Sequence, residues 1–364
     1  MKILILQDCL RSGGTERQSV LLARDFAAGG HPTTLLTFRP GGALASTVHP
    51  AVHRQSLQPF DLHIDWLAPG LTDAVARAAP DVILCMGRIA NCYAGRIQRR
   101  LPSVVVIATM RTGKHLPWLF RRSLKQVRHI ISNSNEARDR LVAEYGVPLE
   151  KVAVIHNSLV FPAGPATVRS HALRAAHGAG PATTVLLCVA MFRPEKNQRA
   201  LVEIVAGLPA TADWQLWLAG SGPARAACEQ LVAEKNLSTH VKFLGFQRDP
   251  SALYASADIA VHASWSEALS NFLIESQSRG LPVVAYEAQG IRECMLPGDT
   301  GWVIPRDDRA AFRATLDRLM TEPAIERLRR AARAQAFARA AFDPQRQVAA
   351  YIDLFHQLSA ASVP

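Results

Sequence analysis

The sequence predicts an α/β protein with two doubly wound domains that face each other across a cleft. Its 364 residues suffice for two domains of roughly 150 residues each. Apolar residues make up 49% of the chain and charged residues 20%, values that exclude intrinsic disorder, collagen and coiled coil. Short apolar runs rich in β-branched residues alternate with helical patterns, and this alternation is typical of parallel sheets covered by helices on both faces.

Eleven runs are predicted as strands, six in the first half of the chain and five in the second. They are 2–7, 33–38, 82–85, 104–108, 129–132, 152–156, 185–190, 215–219, 241–244, 259–262 and 283–286. The first run is interpreted as a buried strand and not as a secretion signal, because Gln7, Asp8 and Arg11 interrupt it. Ligands of parallel sheets bind at the carboxyl ends of the strands, so we expect two such edges to line the cleft.

A Pro- and Gly-rich stretch, 161–181, separates the two halves. We predict a first domain at 1–162 and a second at 163–343, with the last helix, about 344–364, packing back on the first. No apolar run approaches the roughly 20 residues of a membrane-spanning helix. The six scattered cysteines have no metal or redox spacing, which indicates core thiols in a reducing cytoplasm.

Positive charge is concentrated in the first half of the chain. The formal net charge is +11; residues 1–165 hold 20 basic and 11 acidic side chains, which leaves 21 and 19 for residues 166–364. The segment 88–128 contains ten of these basic residues and no acidic one. A helical apolar pattern over His115–Ile131 predicts a basic amphipathic helix that either lies on an anionic bilayer or faces its own core. We expect contact with an anionic membrane surface, and no nucleic acid, because no nucleic-acid-binding motif accompanies the charge.

Three short motifs follow predicted strands. Gly13 and Gly14 open the first helix, where backbone N–H groups can approach a phosphate or simply form a tight turn. Arg193 and Lys196 follow the strand 185–190, where a guanidinium and an ammonium can hold a diphosphate. The small residues of Gly220–Pro223 are expected to leave room for a base or a ribose.

The stretch 264–286 is the most informative. Gly280 and Pro282 mark the end of a helix predicted over Ser270–Arg279. Glu267 lies in the loop before this helix and Glu275 lies inside it. Carboxylates beside a bound phosphate are costly unless they accept hydrogen bonds from hydroxyl groups, so sugars are natural ligands, although two glutamates also occur together by chance.

With seven residues between Glu267 and Glu275 and the following Gly280-Leu281-Pro282-Val283-Val284, the chain resembles glycosyltransferase family 4. The resemblance extends over nearly the whole chain. It includes 13–17, 132–134, 154–158, 194–197, 290–293 and 300–303. It implies the GT-B fold of two Rossmann-like domains, and transfer of a sugar from a nucleotide-sugar with retention at the anomeric carbon and without a required metal.

The resemblance also implies roles for individual residues. Lys196 would bind the donor diphosphate and Glu275 the ribose hydroxyls. Glu267 would lie near the phosphate and the transferred sugar, together with the amides of Ser270, Asn271 and Phe272. Gly13 and Gly14 would close the diphosphate site from the first domain.

The chain departs from the family pattern at two places. The usual phosphate-loop arginine lies five residues before the lysine, where this chain has Met191, and Arg193 is the candidate replacement. Where many members have a histidine after the fourth strand, this chain has Thr109-Met110-Arg111, with His115 four residues later. Arg111 and His115 are therefore candidates for binding the acceptor.

We expect a hexosyl- or N-acetylhexosaminyltransferase that uses a UDP- or GDP-sugar as co-substrate. The acceptor would be a glycan, a lipid-linked sugar or lipopolysaccharide, at the inner face of the cytoplasmic membrane. Two alternatives stay open: a nucleotide-sugar epimerase of the same fold, and a degenerate protein that only binds glycan or anionic lipid.

Overall fold

A computed structural model describes residues 1–159, 169–209 and 211–360. The chain divides into two compact units, the first formed by Met1–Ser158 with Phe342–Pro364 and the second by Leu159–Ala341. The expected boundary between residues 162 and 163 lies outside the described residues. Within the described residues, no helix is both long and apolar enough to cross a bilayer.

The first unit contains a parallel sheet, which has seven strands among the described residues, in the order β3-β2-β1-β4-β5-β6-β7. Its strands are β1 (Ile3–Gln7), β2 (Thr33–Thr37), β3 (His53–Ser56), β4 (Val82–Cys85), β5 (Val105–Met110), β6 (His129–Ser132) and β7 (Val152–Val154). Successive residues of β1 serve opposite faces, since Leu4 and Leu6 join one apolar core while Ile3 and Ile5 join another. The sheet is therefore buried on both sides, as the continuous apolar runs predict.

Helices connect these strands and cover both faces. In the first unit they are α1 (Gly14–Ala28), α2 (Leu71–Ala78), α3 (Arg88–Arg100), α4 (Trp118–Leu124) and α5 (Asn135–Tyr145). The C-terminal helix of the chain also belongs to this unit, since its Tyr351 and Phe355 pack against Phe26 of α1 with ring centroids 5.9 and 5.7 Å away.

The second unit repeats the architecture with a parallel sheet, six-stranded over the described part of the chain, in the order β10-β9-β8-β11-β12-β13. Its strands are β8 (Thr184–Val189), β9 (Trp214–Ala219), β10 (Val241–Gly245), β11 (Ile259–His262), β12 (Val283–Tyr286) and β13 (Gly301–Ile304). The remaining helices are α6 (His171–Ala176), α7 (Gln198–Val205), α8 (Arg225–Glu234), α9 (Ser251–Ser256), α10 (Asn271–Ser278), α11 (Arg309–Met320), α12 (Ala324–Ala341) and the C-terminal α13 (Pro344–Ala360).

Each of the eleven predicted strands overlaps a strand of the structure, but β3 and β13 escaped prediction. The residues of β3 are polar, two of them exposed and two partly buried, and within the described residues this edge strand pairs with β2 alone. An exposed edge does not need the apolar run by which the other strands are recognised.

The amphipathic helix expected over His115–Ile131 is wrong in its bounds. Only α4 is helical there, and residues 129–132 form β6 between β5 and β7. Leu116, Phe120 and Leu124 are buried in the core of the first unit. The three- and four-residue spacing continues into β6 by coincidence, since Ile131 belongs to the core on the other face of the sheet.

Candidate functional site

The predicted donor residues lie at the carboxyl edge of the second sheet. The chain leaves β8, turns through Met191 and Arg193, and forms a short 3₁₀ helix, Pro194–Lys196. A second loop leads from β11 to α10 and is fastened to this helix, since Ser264 Oγ and the Trp265 N–H both donate to the Glu195 carbonyl, at 2.9 and 3.1 Å. The two loops that carry the predicted residues are thus directly connected.

The structure brings Lys196 and Glu267 into contact. Lys196 Nζ donates to Glu267 Oε1 at 2.5 Å, and His262 Nε2 lies 2.8 Å from the same oxygen. An ionised carboxylate only accepts hydrogen bonds, so we place the hydrogen of the imidazole on Nε2. The Lys196 side chain is 24% exposed, whereas those of Glu267 and His262 are 9% and 1% exposed.

The Glu267 carboxyl group is held in its charged form. Burial raises its pKa, but the nearby Lys196 charge and the hydrogen bond from His262 outweigh this effect and lower the pKa to about 2. A buried, ionised carboxylate with two donors is stable in position and can accept a further hydrogen bond from a ligand.

Helix α10 begins where sequence analysis placed it, within one residue. Ser270 is its N-cap, and its side chain makes no capping hydrogen bond. The first N–H groups of a helix lack partners within the helix, and they favour an anion or a hydroxyl oxygen. Gly280 follows the helix with a φ of +79°, which confirms its predicted role as a stop.

Glu275 lies one turn into α10 and contacts a different partner. Tyr254 Oη, from α9, donates to Glu275 Oε2 at 2.5 Å. The Tyr254 ring is buried and lies nearly parallel to that of Phe272, with centroids 6.1 Å apart. Tyr254 thereby ties the second predicted glutamate to the packed side of the helix.

Gly220 and Gly222 allow a close approach between two backbone segments. A Cβ on Gly220 would come within 2.0 Å of the Ala190 carbonyl oxygen, and one on Gly222 within 2.4 Å of that of Phe192. Backbone packing thus accounts for glycine at these two positions, and the expectation that small residues here leave room for a base or a ribose stays a prediction. Their missing side chains let the loop after β9 pack against the loop that leads to Lys196.

The predicted residues of the first unit occupy separate places. Gly13 is the N-cap of α1, and the Glu16 carboxylate lies so close that a Cβ on Gly13 would meet it at 2.4 Å. Arg111 donates to Asn157 Oδ1 at 2.6 Å and to Tyr351 Oη at 2.5 Å. One of these bonds links Arg111 to α13, and the other links it to the loop after β7. His115 is exposed, and its carbonyl oxygen accepts from Arg88 at 2.9 Å.

Sequence reasoning missed His262 and Tyr254. A signal existed for the histidine: it is a polar residue that ends an apolar strand at the ligand-binding edge, five residues before Glu267. Nothing in the local sequence points to Tyr254, which reads as an apolar helix residue. Among the described residues, no group of three or more His, Cys, Asp or Glu could hold a metal ion.

Two family models match the chain in succession. "Glycosyltransferase Family 4" matches residues 12–159 and "Glycosyl transferases group 1" matches residues 170–338. Lipopolysaccharide core biosynthesis glycosyltransferase LpsE of Rhizobium meliloti is 29% identical over 39% of this chain and 41% of its own length. D-inositol 3-phosphate glycosyltransferase of Mycobacterium sp. (strain KMS) is 31% identical over 56% of this chain and 47% of its own length. The chain thus spans less than half the length of these relatives.

Solved structures match over almost the entire chain. Anabaena HepE, crystallised in complex with UDP and glucose, has a TM-score of 0.82 and 21% identity over 98% of this chain and 99% of its own. The sucrose-phosphate synthase of Thermosynechococcus elongatus has a TM-score of 0.81 and 19% identity over 99% and 100%. These likenesses establish the fold and confirm the predicted architecture. The chain belongs to glycosyltransferase family 4 and has the GT-B fold.

Proposed function

We propose that the protein is a retaining glycosyltransferase that moves a sugar from a nucleotide-sugar to a glycan or lipid-linked acceptor. The observation that carries the proposal is the contact between Lys196 and Glu267 beside the first turn of α10. Cationic, anionic and backbone N–H groups meet there at the ligand-binding edge of a parallel sheet. HepE, which shares the fold, was crystallised with UDP and glucose, and this supports a nucleotide-sugar as the donor.

In this proposal Lys196 binds the diphosphate, with Arg193 as a second cation. The amides of Ser270, Asn271 and Phe272 surround the phosphate and the transferred sugar, and Glu275 accepts hydrogen bonds from the ribose. Negative charge grows on the leaving diphosphate as the glycosidic bond breaks. Fixed cations and N–H groups stabilise that charge most in the transition state, which is how they would accelerate transfer. The proposal requires no metal ion.

The acceptor is proposed to be a precursor of lipopolysaccharide or surface polysaccharide at an anionic membrane. LpsE and LpsD of Rhizobium meliloti, both described as lipopolysaccharide core biosynthesis glycosyltransferases, support this assignment. So does the surface of α4, where Trp118 and Leu119 are 60% and 54% exposed. Arg121, Arg122 and Lys125 are exposed beside them, and the Arg122 guanidinium lies 5.4 Å from the Trp118 ring centroid. Aromatic and basic side chains together suit an anionic bilayer surface.

Calorimetry with UDP, GDP and their common sugar conjugates tests the donor site. We expect wild-type protein to bind one nucleotide series, and Lys196→Ala and Glu275→Ala to bind it at least about tenfold more weakly, as expected for lost charged hydrogen bonds. Lys235→Ala, which removes an exposed lysine at the end of α8, is the control and should bind as wild type does. Unchanged binding by both site variants would mean that the donor site is elsewhere.

The stereochemical course is tested separately by NMR of the product. An α-linked donor sugar should give an α-linked product if transfer occurs with retention. A β-linked product would contradict the proposal, and an epimerised nucleotide-sugar formed without an acceptor would favour the epimerase alternative.

A further inference from the structure

One oxygen of Glu267 accepts hydrogen bonds from two side chains that differ in charge and in exposure. Lys196 reaches Oε1 from the 3₁₀ helix after β8, and its side chain remains 24% exposed. His262 reaches the same oxygen from the end of β11, and its side chain is 1% exposed. The lysine can therefore turn to a ligand, whereas the histidine is confined to its place.

The orientation of His262 depends on Glu267 and on packing. Its ring lies 5.8 Å from that of Phe272, in the first turn of α10. Its second nitrogen, Nδ1, is buried and has no hydrogen-bond partner in the part of the chain that the structure describes. Buried polar atoms are nearly always paired, so the unpaired Nδ1 costs free energy. The fold accepts this cost while it keeps the hydrogen bond from Nε2 to Glu267.

We propose that His262 is a positioning residue of the donor site, which holds the Glu267 carboxylate when Lys196 turns to the diphosphate of the donor. This inference rests on the proposed function, which assigns Lys196 to the diphosphate. An N–H of the Lys196 ammonium that donates to a phosphate oxygen is no longer available to Glu267, so the contact between Lys196 and Glu267 weakens. A buried carboxylate that loses a partner is strongly destabilised, and the remaining bond from His262 limits that loss.

Three substitutions of His262 separate the effect of the hydrogen bond from that of the packing. His262→Phe keeps a ring against Phe272 but removes the donor. His262→Gln retains an N–H donor near the position of Nε2, and His262→Met has a similar length without a donor. We expect the Phe and Met variants to bind UDP or GDP, whichever wild type binds, about 10- to 100-fold more weakly, and the Gln variant to bind within about threefold of wild type.

A double-mutant cycle with Glu267→Gln excludes a purely structural role. A neutral amide at position 267 does not need a donor to hold its charge, so His262→Phe should cost less than about threefold in that background. His129→Phe, which replaces another buried histidine in the first unit, is the control and should leave nucleotide binding unchanged. Should the Phe variant fail to fold, the comparison of Gln with Met carries the same test.

The two proposals fail in distinguishable ways. If Lys196→Ala and Glu275→Ala both bind the nucleotide as wild type does, the proposed donor site is overturned. Unchanged binding by Lys196→Ala alone overturns the role of His262, because Lys196 then does not turn to the diphosphate. If Lys196→Ala weakens binding but His262→Phe and His262→Met do not, only the role of His262 is overturned. An equal loss in the wild-type and Glu267→Gln backgrounds also overturns that role, because it shows that the loss does not pass through the carboxylate.

Discussion

Tyr254 Oη donates a hydrogen bond of 2.5 Å to Glu275 Oε2, which joins α9 to the second glutamate of the predicted donor site. Removing this donor by Tyr254→Phe should let the carboxylate rotate away from the position in which we propose that it binds a ribose. We expect about a three- to tenfold weaker affinity for the nucleotide that wild type binds, measured by calorimetry. Tyr145→Phe, in the first unit, is the control, since it also removes one tyrosine hydroxyl. Equal affinity of Tyr254→Phe and wild type would show that this hydrogen bond does not orient Glu275 for a ligand.

Gly290 supports the loop that carries Glu267. Its φ is +73°, and a Cβ there would lie 1.9 Å from the carbonyl oxygen of Ala268. Gly290→Ala should therefore lower the free energy of unfolding by about 2 to 5 kcal/mol, combining backbone strain with overpacking. Chemical denaturation measures the change.

Gly298 provides a matched control for this substitution. Its φ is +81°, and a Cβ there would meet nothing within 4 Å. Gly298→Ala should cost only the backbone strain, about 1 to 2 kcal/mol. The same loss at both positions would contradict the importance of the close approach to Ala268.

The charge of Glu267 predicts a dependence of stability on pH. Because its folded pKa of about 2 lies below the ordinary value of 4.5, ionisation of this group stabilises the folded state above pH 4.5. That contribution should be lost as the pH falls from about 4.5 to about 2. Denaturation of wild type and Glu267→Gln across this range measures it, and the difference in stability between the two proteins should shrink towards low pH. A constant difference would contradict the lowered pKa.

Arg111 is expected to act on stability through the C-terminal helix. It donates to Asn157 and to Tyr351, which is buried in α13. Arg111→Met should lower the free energy of unfolding by about 2 to 4 kcal/mol, because two charged hydrogen bonds are lost and a buried hydroxyl loses its donor.

A cycle with Tyr351→Phe checks this assignment. If the two residues act through their mutual hydrogen bond, the losses should be less than additive. Lys114→Met, on the exposed surface nearby, should change stability by less than about 0.5 kcal/mol. Strict additivity would mean that Arg111 stabilises the unit through other contacts.

The exposed residues of α4 predict binding to anionic vesicles. Trp118→Ala combined with Leu119→Ala should weaken partitioning onto vesicles that contain phosphatidylglycerol by about tenfold or more, because both residues offer apolar surface to the bilayer. Sedimentation with vesicles at two salt concentrations measures this, and high salt should weaken binding of the wild type. Leu149→Ala removes another exposed leucine and serves as the control. Binding that ignores both anionic lipid content and salt would contradict the proposal.

The positions of most strands and the bounds of helix α10 follow from short stretches of sequence. Buried parallel strands need continuous apolar runs, and a helix ends where glycine and proline make its continuation costly, so these features are written locally. The polar edge strand β3 escaped for the converse reason: one neighbouring strand suffices for it, and no apolar run is required. The apolar spacing around α4 overpredicted a helix, because Ile131 of the buried strand β6 continues the spacing although it belongs to the core on the other face of the sheet.

Contacts between residues that are distant along the chain could not be predicted from the sequence and are decided by the tertiary structure. Lys196 and Glu267 are 71 positions apart. The lysine donates to a carboxylate oxygen of Glu267 because the loops that carry them follow β8 and β11, which are neighbouring strands. Arg111 was a candidate for binding an anionic acceptor, yet one of its nitrogens donates to Asn157 and another to Tyr351, which lies 240 positions later in α13. His262 is marked in the sequence only as a polar residue that ends an apolar strand, and Tyr254 is not marked at all, so the partners of both became evident only in three dimensions. Local sequence determines secondary-structure propensity and which side chains are buried. The choice of hydrogen-bond partner depends on which elements lie side by side in each sheet.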